Sequence, residues 1–457
     1  MKDLTSGREG KLILFFALPM LLGSIFQQMY NIVDSIIVGR VLGKEALASV
    51  GNAFPVFFTL ISLIMGLSFG GTIVISQYFG AKDYKRVRRA IGTLYLFMFI
   101  TAGIITAFGL IFTDDILRLI KIPDELYSNA RIYIKLFIGG IIAFFGYNGT
   151  AAILRGLGDS RTPMIFMIIS TLVNIGLDLL FILVFRWGIA GAAIATIVSQ
   201  GGAFITAVWY LNKYHKLINI TLKDLVFDAD IFKKTVRIGL PTGLQQTFVA
   251  LGMVAIQRIV NDFGTDVIAG YSVAGRIDSL AMTPAMIFAQ ALAAFVGQNM
   301  GAGKNQRVIN GLKATIIMSS AIAATTTIIV VLFKESLIGL FNQDPEVIRI
   351  GSNYLVIVGG CYLLFSAMFS INGVMRGAGD TLIPMFITLL ALWLIRIPSA
   401  YFLSGIIGET GIWWAVPIGW TTGLIMSFIY YRTGKWKSKV IVEPEPLSII
   451  VRDIEIE

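Results

Sequence analysis

Ile153-Leu154-Arg155-Gly156-Leu157-Gly158-Asp159-Ser160-Arg161-Thr162-Pro163-Met164 recurs 221 residues further along as Val374-Met375-Arg376-Gly377-Ala378-Gly379-Asp380-Thr381-Leu382-Ile383-Pro384-Met385. At the same spacing Gln77, Gly80, Ala81, Arg86 and Val87 return as Gln298, Gly301, Ala302, Arg307 and Val308, and Tyr133 returns as Tyr354. Pro19 is matched by Pro241, one residue out of step. One constant offset over so much chain means a duplicated unit.

What is duplicated follows from the surrounding composition. Of the 457 residues 56% are hydrophobic and 14% charged, against roughly 45–50% and about 25% in a soluble domain. The apolar residues lie in long runs without alternation, which excludes a β-barrel, and they suffice for about twelve spans of roughly 20 residues. The runs place spans near 12–38, 46–78, 91–112, 132–154, 164–185 and 188–211, then near 237–260, 267–299, 312–333, 351–375, 383–403 and 410–431. The first run, behind Lys2, Arg8 and Lys11 and ahead of Ala46-Leu47-Ala48, superficially resembles a signal peptide. It is too long for one and contains Gln27, Gln28 and Asp34, so it is read as a retained span.

The expected architecture is an all-α polytopic membrane protein of 12 transmembrane helices in two parallel-repeat six-helix bundles. Residues 1–211 form an N-lobe with spans 1–6, 212–235 a cytoplasmic connector, 236–431 a C-lobe with spans 7–12, and 432–457 a cytoplasmic tail. Six is even, so both copies insert the same way, related by an axis along the membrane normal. Most of the 37 Lys and Arg fall in the loops around 82–89, 155–161, 213–237 and 304–313 and in the two ends. The positive-inside rule then puts both termini in the cytoplasm of a multi-pass cell-membrane protein. The net charge of +10 reflects that asymmetry and contact with lipid headgroups, with no nucleic-acid partner needed. Two facing bundles would enclose a central cavity suited to alternating access around a site at mid-membrane.

The duplicated Arg-Gly-x-Gly-Asp turns, the loops Gly80-Ala81-Lys82 and Gly301-Ala302-Gly303-Lys304, and Ala17-Leu18-Pro19 carry a family resemblance. So do Tyr30-Asn31-Ile32-Val33-Asp34 and Asn174-Ile175-Gly176-Leu177-Asp178. From span 1 to span 12 the chain resembles the multidrug and toxic compound extrusion (MATE) family, most of all its DNA-damage-inducible F branch. The resemblance implies a V-shaped pair of bundles and export of organic, often cationic, compounds driven by inward Na+ or H+.

Acidic residues inside spans are functional candidates whatever the family. Asp34 lies in the outer part of span 1, and Asp178 about 21 Å up span 5 at the helical rise. Asn174 shares the face of Asp178, four residues earlier, and Thr196 on span 6 reaches a similar depth. Two carboxylates, an amide oxygen and a hydroxyl form an all-oxygen set for a small hard cation such as Na+, or the carboxylates hold a proton. The resemblance assigns Asp34, Asn174, Asp178 and Thr196 to the family's cation and proton site, and Pro19 to a hinge in span 1, a static kink being the alternative. At the repeat offset Asp34 meets Ala255 or Ile256 and Asp178 meets Ser399 or Ala400. The fold is repeated and the acid pair is not, so one coupling site is expected, in the N-lobe. A C-lobe cation site of the kind other branches of the family it resembles have would need acids on spans 7 and 10, which carry none. Asp278 and Arg396 stand apart, each paired or reaching toward an interface.

Met253, Met282, Met286, Phe288 and Met368, with Gln27, Asn148, Gln245, Gln290 and Asn372 among them, offer an adaptable substrate pocket; singly, each reads as packing. The two Arg-Gly-x-Gly-Asp turns read as structural. Single Cys361 and His215 exclude a Cys/His metal cage and leave little for an enzyme. Cys361 reads as core and His215 as solvated. Nothing supplies a channel's ring of pore charge. The expected function is a Na+- or H+-coupled antiporter, active as a monomer without other cofactor, exporting amphipathic organic cations. A flippase for lipid-linked saccharide or peptidoglycan precursors is the alternative. It would want basic cavity residues, whereas the intramembrane charge here is mainly acidic.

Overall fold

The structure is a computed structural model that describes residues 2–120, 122–214 and 225–442. His215, much of the connector and the end of the tail lie outside the described residues. The first half runs α1 (Glu9–Ile37), α2 (Lys44–Gly80), α3 (Tyr84–Ile111), α4 (Thr113–Leu119), α5 (Asp124–Gly139), α6 (Ile141–Gly156), α7 (Arg161–Asp178) and α8 (Ile189–Tyr214). The second runs α9 (Ala229–Asn261), α10 (Thr265–Gly301), α11 (Asn305–Leu332), α12 (Lys334–Gly339), α13 (Pro345–Gly359), α14 (Tyr362–Gly377), α15 (Leu382–Leu389), α16 (Ile397–Ile407) and α17 (Glu409–Thr433). Among the described residues nine helices are long and apolar enough to cross a membrane, or up to eleven if each of two bent pairs is one span. α9 has the length, but Gln245, Gln246 and Gln257 dilute its apolar run.

Three features depart from the sequence reading. Spans 4 and 10 are each two helices, bent by 47° between α5 and α6 and by 46° between α13 and α14. The breaks fall at Gly140 and at Gly360–Cys361, equivalent places in the repeat. Cys361 is half-buried at the second break, packed against the core. Spans 5 and 11 pass through π-helical turns at Leu179–Val184 and Leu390–Arg396, which a hydropathy run does not register. The end of the 212–235 connector is helical from Ala229, because the Asp228 side chain accepts from the backbone N–H of Asp230 and Ile231 at 3.0 and 3.1 Å, capping α9 before its apolar run begins.

The duplicated turns are the same structure twice. Asp159 N–H donates to Leu154 O at 2.8 Å and Asp380 N–H to Met375 O at 2.9 Å, with Gly158 and Gly379 at φ +80° and +97°. This is a Schellman closure, and the left-handed residue is the reason glycine stands there. The following aspartate differs in use. Asp159 caps α7 through Thr162, whereas Asp380 accepts from the Tyr430 hydroxyl.

The chain divides into two compact units: Met1–Lys2, Leu18–Ile75 and Tyr84–Gly243, and Asp3–Ala17, Ser76–Asp83 and Leu244–Glu457. In unit one, Gly66 and Gly70 of α2 let that helix touch the backbone of α9, since a Cβ on Gly70 would fall 2.4 Å from Thr235 O. In unit two, Gly373 and Gly377 do this for α14 on α10, a Cβ on Gly377 falling 2.5 Å from Ala293 O. Small residues at such crossings are how apolar helices associate in lipid. Around them unit two buries Tyr354, Tyr362, Trp413 and Trp420 in one core. α1 crosses from unit two to unit one between Ala17 and Leu18, next to Pro19, and α9 crosses between Gly243 and Leu244, just after Pro241.

Candidate functional site

Unit one gathers its acids where α1, α5, α7 and α8 meet. Asp34 follows Tyr30 by one turn of α1, so both side chains leave the same face. Asp178 is the last residue of α7 and is wholly buried, as is Asn174 one turn before it. With its amide oriented to satisfy both ends, Asn174 donates to Asp178 Oδ2 at 3.0 Å and accepts from Thr196 N–H at 3.2 Å. The Thr196 hydroxyl donates to Ala192 O at 3.1 Å, so its lone pair accepts from the Tyr30 hydroxyl, also at 3.1 Å. The carboxyls of Asp34 and Asp178 lie within hydrogen-bonding reach of one another, and Tyr30 and Tyr133 stand near both. All four polar residues of the sequence reading are therefore side by side.

Charge decides what this cluster can do. Among the described residues, the groups that bear on the two carboxyls are each other, the Asn174 amide and the nearby tyrosine hydroxyls, with no Lys or Arg. Oδ1 of Asp34 and Oδ1 of Asp178 are buried and have no hydrogen-bond partner among the described residues. Two ionised carboxylates facing one another in a dry site repel, and burying each costs several kcal/mol besides. The pair therefore calls for a proton between its oxygens or a small cation on them. The unpartnered oxygens and the all-oxygen donors suit either.

π-helical turns follow both acids, Val38–Leu42 after α1 and Leu179–Val184 after α7. Such turns loosen the regular backbone bonding. Pro19 lies inside α1, where it removes the bond to the carbonyl four residues back. Tyr30 and Tyr133 were not singled out from sequence as site residues. The available signals were the i, i+4 spacing of Tyr30 to Asp34 and the recurrence of Tyr133 as Tyr354.

The suggested substrate residues divide between the two units. In unit one, Gln27 is half-buried, and Asn148 spends its amide on Phe144 O within its own helix at 2.9 Å. In unit two, Phe288 and Met368 are core, Met282 and Met286 pack against that core, and Asn372 accepts from Ser427 at 2.9 Å. Gln245 is held between Arg376 at 2.7 Å and Thr388 at 2.6 Å. Met253 and Gln290 are exposed.

A helical membrane protein with a duplicated fold and a buried acid pair in one half has the build of a membrane transporter. The MatE family model matches residues 19–180 and again 241–402, the same division as the sequence repeat. The chain belongs to the MatE family of membrane transporters, and it is not an enzyme. It is 32% identical over 439 residues to the probable multidrug resistance protein YpnP of Bacillus subtilis (strain 168), covering 95% of this chain and 98% of that one. Among solved structures it is similar to a MATE protein crystallised in a bent conformation, with a TM-score of 0.89 and 25% identity over 95% and 97% of the two chains. It is similar to the straight conformation as well, with a TM-score of 0.89 and 25% identity over 96% and 98%.

Proposed function

We propose that this chain is a multidrug antiporter that exports amphipathic organic cations by alternating access, driven by inward H+ or Na+. It would act as a monomer in the cell membrane, with both termini in the cytoplasm. The observation that carries the coupling is the carboxyl pair of Asp34 and Asp178 with unpartnered oxygens and no basic residue beside it. Proton or Na+ capture removes the repulsion within the pair, and release restores it. Each passage therefore switches the polarity of the space where α1, α5, α7 and α8 meet. The relatives' names, among them multidrug resistance and export proteins, support the substrate class. The mainly acidic intramembrane charge speaks for cations over the anionic headgroup of a lipid-linked precursor.

Pro19 is the proposed hinge. It weakens α1 where that helix changes units, and Asp34 lies farther along the same helix. The bent and straight forms of a similar protein support this reading. Of the suggested substrate residues, exposed Met253 and Gln290 and half-buried Gln27, Asn148, Met282 and Met286 keep surface to meet a ligand directly, and the buried ones act through packing.

The test is uptake of a fluorescent organic cation into inverted vesicles or proteoliposomes under an imposed pH gradient, Na+ gradient or neither. Dependence on one gradient identifies the ion. Uptake that needs neither, or that survives Asp178→Asn at wild-type rate, would remove the coupling assignment.

A further inference from the structure

Unit two has a buried acid of its own, outside the repeat-related positions of the first site. Asp278 lies in the middle of α10, about 20 Å from its start at Thr265 by the helical rise, and is only 8% exposed. Oδ2 accepts from the Tyr354 hydroxyl at 3.1 Å. Oδ1 is buried without a hydrogen-bond partner among the described residues, and the buried hydroxyl of Tyr362 faces the same carboxyl without a closed bond of its own. Tyr354 and Tyr271 both pack on Trp413, with ring centroids 5.1 and 5.5 Å away, so the walls of the site are aromatic.

One cation stands opposite. Arg396, the last residue of the π-helical turn between α15 and α16, is about 17 Å along its span from Ile407, the end on the side where α10 starts, at a depth like that of Asp278. Its charge reaches Asp278, Tyr354 and Tyr271, yet its Nε is buried without a hydrogen-bond partner among the described residues, as is Oδ1 of Asp278. Its stem lies over Gly419, where a Cβ would come within 3.0 Å of Arg396 Cβ. The groups facing Asp278 from the elements around it are thus Tyr354 on α13, Tyr362 on α14 and Arg396, with Tyr271 on its own helix; α11 and α17 bring no titratable group to it. An acid and a base at one depth, each with an unsatisfied buried atom and not joined, describe one of two states. A guanidinium beside the carboxyl argues against a metal ion there, and it leaves a proton as the occupant.

We propose that Asp278 is a second proton-binding carboxyl, protonated while it is bonded to Tyr354 and apart from Arg396, and deprotonated when the Arg396 guanidinium closes onto it. The proton adds to Oδ1 to give the neutral acid, and leaves as H+ when the charged pair forms. A small hollow lined by Ala281, Met282, Ala285, Tyr362 and Phe365 lies one turn along α10 from Asp278. Arg396 is a positioning residue that sets when the proton leaves.

The experiment reads the proton directly, without transport. Infrared pH titration of the purified full-length protein in lipid is run on the Asp34→Asn, Asp178→Asn double variant, where the unit-one acids are silent. One protonated-carboxyl C=O band should remain, titrate, and be lost when Asp278→Asn is added, a change that keeps an acceptor for Tyr354. Absence of the band, or its persistence in the triple variant, would overturn the proposal and leave the unit-one site untouched. In the double-variant background Arg396→Gln should keep the band present to higher pH by about one unit or more. No movement would overturn the role of Arg396. Asp278→Asn alone should retain substrate binding while the pH profile of efflux changes. An unchanged profile would show Asp278 to be a structural partner of Tyr354 only.

Discussion

Tyr133 and Tyr354 occupy the same place in the two copies of the duplicated unit, and each stands beside a buried acid, yet the charges around them are balanced differently. In unit one Tyr133 faces Asp34 and Asp178, two carboxyls with no basic residue near among the described residues. In unit two Tyr354 is bonded to Asp278, which has Arg396 within reach of its charge. Duplication copied the helices and the tyrosine, while the acids arose on different helices in each half: α1 and α7 in one, α10 in the other. A repeat therefore fixes where a polar site is sterically allowed. The residues around it decide whether the acids face one another or an arginine.

The sharpest way to break that contrast is Asp178→Asn, which should abolish gradient-driven uptake in vesicles at unchanged expression and monodispersity, because an amide cannot take up and release the coupling charge. Asp34→Asn should do the same. If either retained wild-type uptake, the uncompensated pair would not be the coupling site.

The two prolines compare the halves next. Pro19→Ala restores a backbone bond worth about 1–3 kcal/mol in a dry setting, enough to bias a two-state helix by about 5- to 150-fold. Efflux should fall by a factor in that range while ion binding, measured on the same purified protein, holds. Pro241→Ala, on a helix with no buried acid, should change efflux less. Equal losses would mean that both crossings between units bend during transport.

Packing gives a smaller and purely structural comparison. At Gly377 an added Cβ meets the fixed backbone of Ala293 at 2.5 Å, whereas at its equivalent Gly156 the nearest atom is a methyl of Ile75 at 2.9 Å, with Thr72 O at 3.0 Å. Overpacking of this kind costs about 1–3 kcal/mol, and Gly377→Ala should lower the melting temperature more than Gly156→Ala. The reverse order in a thermal-shift assay would show the first crossing to be the stiffer. Smallest of all, Ser399→Ala, at the repeat equivalent of Asp178, should leave uptake and stability unchanged. Loss of coupling there would mean that unit two carries a working copy of the unit-one site.

Sequence showed the site unevenly. Asp34 and Asp178 were legible because a carboxylate in an apolar run is costly enough to stand out without a fold, and Asn174 because i, i+4 spacing puts it on the face of Asp178. Thr196 came from depth counting along a descending span. Tyr30 and Tyr133 were not read as site residues, since a tyrosine in a span is equally at home in lipid or core. The soft and amide residues suggested as a substrate pocket differ in exposure and hydrogen bonding, because residue type says nothing about which way a helix face points.

By itself the sequence determined that this chain is a membrane protein, that it holds the same unit twice, and that its intramembrane acids differ between the copies. Each follows from local free energies of transfer and from a constant offset, which survive without any knowledge of packing. Only the tertiary structure decided that spans 4 and 10 bend, that spans 5 and 11 take π-turns, and that Asp278 and Arg396 lie near one another unjoined. Those outcomes depend on close approaches between helices remote in sequence, where a glycine against a carbonyl or an arginine over Gly419 settles the geometry, and no window of hydropathy contains both partners.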